Sequence, residues 1–258
     1  MNPLMTETLA ARNVVYFPCV DSTNLVAKQL AEQHAAHMTT VLADEQTKGR
    51  GRRGRSWLSR PGLGAWMTVI VRPDVPAARA PELVMVTAVA LCEALRMLTG
   101  MNAAIKWPND VQCEEKKLSG TLLELSANGT QLNYAVIGVG INVLGTDFPD
   151  ELPDAASIES VTGVAFARAA VVEAFLDALG DAYEAWVAGG MARIMPTYAQ
   201  CSATLGQKVR AICSDGDVFG VAESIAEDGA LMLRLDDGTL RPLYAGDVSI
   251  RSGGGADA

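Results

Sequence analysis

The sequence predicts an α+β protein: a mixed β-sheet domain flanked by helices, followed by a small all-β module. Three observations lead there. Strand-like apolar segments cluster in the middle of the chain, with helical patterns before and after them and no regular strand-helix alternation. A long apolar helical run over residues 81–99 opens on Pro81 and closes at Gly100, the expected asymmetry of helix ends. Beyond about Leu205 the texture changes to short strands separated by Asp-Gly pairs at 215, 228 and 237, which are hairpin signals.

Taken in order, VVYFP (14–18) reads as a strand, after which Asp21 or Ser22 is placed to cap a helix through Asn24, Leu25, Ala27 and Leu30. TTVLADEQ (39–46) is a second strand. GAWMTVIVRP (64–73) is a third, closed by Pro73, which cannot donate to a ladder. After the 81–99 helix come AAIKW, KLSGTLLEL and LNYAVIGVGINVL, three strand-like segments separated by turns holding Pro108, Asn109 and Asp110 and then Asn128 and Gly129. From Phe166 to Trp186 the apolar spacing is helical again. KVRAI, VFGVAESI, ALMLRL and LRPLYA form the last module, where Leu231, Leu233 and Leu235 alternate with Met232, Arg234 and Asp236 as in a half-buried strand of a small barrel. The expected organisation is residues 1–204, 205–252 and a disordered tail, 253–258.

With 258 residues, 49% of them hydrophobic, the chain is long enough to bury a sizeable core. Of its 21 Lys and Arg, five lie within Lys48–Arg55, leaving 16 against 30 Asp and Glu. That anionic remainder disfavours a general nucleic-acid or membrane-surface binder. No stretch is apolar and long enough to span a bilayer, and the first residues carry no secretory pattern. Five cysteines without a CxxC pair argue against a disulfide framework or structural zinc, so a cytoplasmic protein with reduced thiols is expected. His34 and His37, in AEQHAAH, are expected on a solvated helix face, because two histidines alone do not make a metal site.

The segment TKGRGRRGRSW (47–57) concentrates charge in an otherwise acidic chain. Its glycines let the backbone approach an anion closely, and Arg50, Arg52, Arg53 and Arg55 supply planar donors that match phosphate or carboxylate. Gly49, Gly51 and Gly54 also spell G-x-G-x-x-G, but a strand follows and no βαβ unit does, so a Rossmann site is rejected. KWPND (106–110) adds an acid and an amide in a proline-bent turn, KLSG (117–120) a lysine at the head of a strand, and GVGIN (138–142) glycines with a terminal amide.

The ordered set STN (22–24), EQTKGRGRRGRSW (45–57), KWPND, KLSG and GVGIN resembles the biotin protein ligases, also called biotin–[acetyl-CoA-carboxylase] ligases. The resemblance implies a catalytic sheet domain like that of class II aminoacyl-tRNA synthetases and a C-terminal SH3-like domain. It implies activation of biotin by ATP and Mg²⁺ to biotinyl-5′-adenylate, then transfer to one lysine of a biotin carboxyl carrier protein. By the family pattern Ser22, Thr23, Asn24 and Gln46 bond the biotin head group. Arg50, Gly51 and Arg52 close over the carboxylate and phosphate, with Arg53 beside them on the ATP side. Lys117 is the active-site lysine, and Asp110 serves either Mg²⁺ or the incoming amine. Trp57 stacks on adenine and Asn142 contacts the nucleotide, while Trp107 and Pro108 are scaffold.

About 20 residues precede the Ser-Thr-Asn motif, so neither the winged helix-turn-helix of the repressor members nor sequence-specific DNA binding is expected. A homodimer is compatible with the family. The nearest enzymatic rival is a lipoate ligase or octanoyl transferase, whose loop motif differs. A rival of another class is a nucleic-acid module gripping phosphates with the Gly/Arg loop, against which the lack of interleaved aromatics weighs.

Overall fold

The computed structural model describes residues 4–213, 216–226, 229–244 and 247–250. Asp215, Asp228 and the 253–258 tail, three features singled out in the sequence, lie outside the described residues. In chain order the first part holds α1 (Glu7–Ala10), β1 (Val14–Val20), α2 (Thr23–Glu32), β2 (Thr40–Gln46), β3 (Gly64–Val71) and α3 (Glu82–Thr99). Next come β4 (Ala104–Lys106), β5 (Asp110–Cys113), β6 (Lys116–Asn128), β7 (Gln131–Asn142), α4 (Ile158–Thr162), α5 (Arg168–Gly189) and α6 (Met191–Cys201). The chain then forms β8 (Lys208–Cys213), β9 (Gly216–Ile225), β10 (Leu231–Arg234), β11 (Leu240–Leu243) and β12 (Asp247–Ile250).

Seven strands form one mixed sheet in the order β1-β2-β3-β7-β6-β5-β4, with β1–β2 parallel and the other pairs antiparallel. All eight positions of β3 are buried, because both faces of the sheet are covered there. On one face lie α3, α5 and α6, whose apolar residues join Met67, Val69, Val71, Ile137 and Val139 in the main core. On the other lies α2, where Ala27 and Ala31 meet Val41, Ile70, Tyr134 and Val136. Twelve residues of α3 are buried, consistent with a helix held between the sheet and other helices. It ends at Gly100, whose left-handed φ of 73° lets its N–H turn back to Arg96 O.

The last five strands form a second sheet, antiparallel throughout, in the order β11-β10-β9-β8-β12. Leu231 and Leu233 are buried in it while Arg234 is exposed, the alternation the sequence predicts. Its inward residues Val209, Ala211, Val218 and Ala222 are continuous with the main core. The junction is hydrogen-bonded as well: Trp107 donates from its backbone N to Thr204 Oγ1 (3.0 Å) and from its indole Nε1 to Gly229 O (3.2 Å), and Ala203 N donates to Ile105 O (2.9 Å).

Two expectations need correction, and several elements have no counterpart in the sequence pattern. Asp110 does not sit in the turn but begins β5, where it pairs with Gly120 across the ladder. His34 and His37 are not on a helix: α2 stops at Glu32, Gln33 caps it, and His34 takes a left-handed φ of 64°. His37 is instead held in the following segment, its Nδ1 accepting from Arg72 N (3.1 Å) and its ring 4.8 Å from that of Tyr183. Helix α6, with Pro196 inside it, and strand β12 have no counterpart in the elements predicted above.

Candidate active site

The site begins with an absence of side chains on one face of the sheet. Residues directly opposite in an antiparallel ladder share a face, so Asp110, Gly120, Gly140 and Trp66 form one row, and Leu122, Gly138, Thr68 and Val41 the next. A third row, Glu124, Val136 and Ile70, is covered by α2. At the glycines the sheet carries no side chains of its own, and only the first turn of α2 reaches it, through Asn24 over Gly138. Other residues occupy the space: a Cβ on Gly140 would stand 2.4 Å from Trp57 Nε1, and one on Gly138 would stand 2.0 Å from Asn24 Oδ1. A side chain at either position therefore displaces a residue lining the cleft. The cleft above this floor encloses about 310 Å³.

At one part of the cleft the start of α2 presents Ser22, Thr23 and Asn24, all nearly fully buried. Ser22 occupies the N-cap position with extended backbone but makes no side-chain cap bond. Thr23 donates from N (2.9 Å) and Oγ1 (3.0 Å) to Gln46 Oε1, and Gln46 Nε2 donates to Ser59 Oγ (2.8 Å). Thr68 Oγ1 lies within hydrogen-bonding distance of both Thr23 Oγ1 (2.8 Å) and Asn24 Oδ1 (2.7 Å). This is a set of oriented polar groups at one part of the cleft, the setting that recognises a small ligand by its hydrogen-bonding pattern.

The Gly/Arg segment folds back on itself. Gly51 N donates to Arg55 O (2.7 Å), Trp57 N donates to Gly49 O (2.9 Å), and a short turn at Arg52–Gly54 lies between them. At its base Lys48 and Thr47 both bond Asp21, and these bonds hold the Asp21 carboxyl below its usual range. Arg52 reaches across the cleft, Nη1 donating to Asn109 Oδ1 (2.6 Å), while Asn109 Nδ2 donates to Thr121 O (2.9 Å). Arg50, Gly51, Arg52 and Arg55 line the cleft. Arg53, exposed and with a positive φ of 56°, is not among its lining residues, whereas Arg55, read from the sequence as an anion donor but given no place by the family resemblance, does line it.

Lys117 and Asp110 meet over the glycine floor, Nζ to Oδ2 at 2.7 Å. The Lys117 ammonium also stands over the Trp57 ring, 5.3 Å from its centroid, where the ring face attracts a cation. The other oxygen, Asp110 Oδ1, is buried without a protein hydrogen-bond partner. Asn142, at the end of β7, lines the same cleft with its Nδ2 committed to Ala156 O (2.9 Å).

Two contributors escape the sequence motifs. The segment around residues 147–156 runs beside the head of β6: Lys117 N donates to Asp154 O (2.6 Å), Ala156 N to Lys117 O (3.0 Å) and Lys116 Nζ to Pro153 O (2.8 Å). Phe148 and Leu152 from this segment close one side of the cleft. The second is Glu124, which accepts from Asn24 Nδ2 (2.9 Å) and Lys28 Nζ (3.3 Å) and lies 3.8 Å from Arg50 Nη1.

A model of the biotin/lipoate A/B protein ligase family matches residues 16–142, and one of the biotin protein ligase C-terminal domain matches residues 204–251. The chain is 38% identical over 227 residues to a biotin–[acetyl-CoA-carboxylase] ligase of Paracoccus denitrificans, covering 83% of this chain and 91% of that one. The chain belongs to the biotin protein ligase family. Among its relatives, the bifunctional ligase/repressor BirA of Bacillus subtilis is 34% identical over 250 residues, 96% of this chain and 76% of the relative. The structure superposes on the biotin protein ligase of Aquifex aeolicus in complex with biotin and ATP with a TM-score of 0.80 at 29% identity, covering 93% of this chain and 99% of that one. The mixed sheet with a separate antiparallel C-terminal sheet is thus the biotin protein ligase fold.

Proposed function

We propose that this chain is a biotin–[acetyl-CoA-carboxylase] ligase that joins biotin to AMP and passes it to a lysine of a biotin carboxyl carrier protein. The observation that carries the reading is the single cleft in which the buried Ser22–Asn24 and the half-buried Gln46 share one lining with Arg50, Arg52 and Lys117. A ureido ring removed from water must have its polar atoms paired, and the Thr23, Asn24 and Gln46 set supplies partners. A carboxylate attacking a phosphate needs cations, and three converge there.

In the first half-reaction a biotin carboxylate oxygen attacks the α-phosphorus of ATP, the bond to the bridging oxygen breaks, and pyrophosphate leaves. Two anions must approach, and Lys117 with Arg50 and Arg52 neutralises their charge in a site partly closed to water. Trp57, whose ring faces the Lys117 ammonium, is the residue assigned to stack on adenine. Asn142 and Arg53 complete the nucleotide side of the assignment. In the second half-reaction the carrier lysine attacks the acyl carbon, the bond to AMP breaks, and Asp110 favours loss of the amine's proton.

Among the described residues no three His, Cys, Asp or Glu side chains gather to hold a metal. Mg²⁺ binds through one or two carboxylates together with substrate phosphates and needs no such cluster. Asp110, which serves either Mg²⁺ or the incoming amine, is the residue that would hold it, its Oδ1 being buried without a partner. Mg²⁺ bound there would offset charge on the triphosphate.

The same reading divides the chain into a catalytic unit, 1–204, and a C-terminal unit, 205–252, and places it in the cytoplasm with its carrier. Among the described residues no helix is long and apolar enough to cross a membrane. Strands β1 and β4 are the edge strands of the large sheet, but β4 is engaged at Ile105 by residues 202–203, so pairing of two copies through the sheet would use β1.

The deciding experiment is pyrophosphate–ATP exchange by purified protein with Mg²⁺ and biotin, lipoate or no acid. Exchange with biotin alone is the expected result. Exchange with lipoate in its place would move the chain to the lipoate branch, and exchange with neither acid would overturn the reading.

A further inference from the structure

Glu124 stands outside every motif that marks the site, one row of the sheet away from the glycine floor. Its carboxylate nevertheless touches two of the elements that build the cleft. Asn24 and Lys28, four residues apart on one face of α2, both donate to it, and Arg50 of the Gly/Arg segment is 3.8 Å away. An acid a quarter exposed, flanked by two cations, is an uncommon choice for a strand position opposite Val136.

The bond to Asn24 has a consequence for chemistry. An asparagine side chain presents a donor end and an acceptor end of nearly the same shape, and its neighbours alone decide which way it faces. An ionised carboxylate only accepts. Glu124 Oε2 at 2.9 Å, backed by Leu122 O at 3.4 Å, holds the NH₂ end of Asn24. Asn24 Oδ1 is thereby turned towards Thr68 Oγ1 and the bare backbone of Gly138, on the floor of the cleft. The donor and acceptor pattern that the cleft offers depends on a residue that does not line it.

We propose that Glu124 is the positioning residue that sets the amide orientation of Asn24 and through it the affinity of the cleft for the biotin head group. The proposal rests on the biotin-ligase reading of the site. Burial alone would raise the Glu124 pKa, but the bonds from Asn24 and Lys28 and the nearby charges outweigh it, and the carboxyl stays below its usual value. It is therefore ionised, and accepts only, throughout the neutral range.

The test uses Glu124→Gln, which keeps the shape and removes the restriction, because a glutamine amide offers a donor as readily as an acceptor. Biotin and its alcohol analogue biotinol, which keeps the ureido ring and lacks the carboxylate, are titrated into the full-length wild type and variant, and ATP is titrated separately. With the Asn24 amide free to turn, affinity for both biotin and biotinol is expected to fall by about tenfold or more. ATP affinity should hold, while the melting temperature falls by no more than a few degrees for the lost bonds to Asn24 and Lys28. In an Asn24→Ala background the same substitution should cost nothing further, since the residue it acts through is gone.

Unchanged biotin affinity would overturn the proposal. So would a loss confined to biotin, which would place the effect on Arg50 and the carboxylate, and so would an undiminished cost in the Asn24→Ala background. A wild type that binds neither biotin nor biotinol would instead remove the reading of the site itself.

Discussion

Lys117 Nζ and Asp110 Oδ2 are 2.7 Å apart, an ion pair formed between the head of β6 and the start of β5 above a glycine floor. Neither residue is buried deeply enough to be locked away, and Lys117 keeps about a third of its side chain in contact with solvent. The lysine is thus held in place while remaining open to an incoming anion.

Replacing Lys117 with Ala should therefore leave the fold intact and remove most of the adenylation rate. Loss of one preorganised charge-stabilising donor typically costs a factor of about 10²–10³. Pyrophosphate–ATP exchange at saturating biotin is the measurement, and a rate within a few-fold of wild type would take Lys117 out of the mechanism.

Arg52→Gly removes the 2.6 Å tether from the Gly/Arg segment to Asn109. The adenylate should then escape before the carrier arrives and label bystander lysines. Incubating the variant with biotin, ATP and a non-carrier protein, then probing for biotin on that protein, reads the leak. Adenylate release as slow as in the wild type would contradict the assignment.

Gly138→Ala makes a sharper demand, because its new Cβ would stand 2.0 Å from Asn24 Oδ1. Overpacking of this kind costs about 1–3 kcal/mol. The strain falls on the Asn24 amide, so affinity for biotin should drop by about tenfold or more while ATP affinity holds. Equal loss for both ligands would point to general damage to β7 instead.

His37 predicts a pH effect on stability remote from the site. Burial beside Tyr183 and then the charge of Arg72 hold its pKa below 6.5, so the unfolded chain takes up the proton first. The stabilisation is complete above 6.5 and declines as pH falls from there towards the folded-state pKa. The ring is exposed on its other side, so the slope is shallow. Comparing melting temperatures at pH 7.5 and 5.5, His37→Gln should narrow the gap. An identical gap would assign the slope to another group.

Much of this architecture was legible before any coordinates. The long strands announce themselves by unbroken apolar runs, and α3 by its Pro81 and Gly100 ends. The cleft could be anticipated where its chemistry is local in sequence, as in the Gly/Arg segment and around Lys117. What was hidden is hidden for physical reasons. Strand β5 is four residues long and follows a proline turn, so its pattern is too short to read. Helix α6 carries Pro196, which costs a backbone hydrogen bond inside a helix and reads as a stop. Residues 147–156 contribute largely through backbone pairing with Lys117, which no side-chain pattern encodes. Glu124 meets Asn24 across 100 positions of sequence, and only the packing of α2 on the sheet brings them together.

The indole of Trp107 ties the turn that leads into Asp110 to Gly229 of the second sheet, while its backbone N–H is bound to Thr204. A chain cut between the two sheets would leave a buried indole donor with no acceptor and bare the shared apolar surface. Neither fragment then has an independent melting point. Scanning calorimetry of the intact chain should show one endotherm, with calorimetric and van't Hoff enthalpies in agreement, as for a single cooperative unit. A stepwise melt, with the C-terminal sheet lost first, would mean that the Trp107 junction carries little of the coupling.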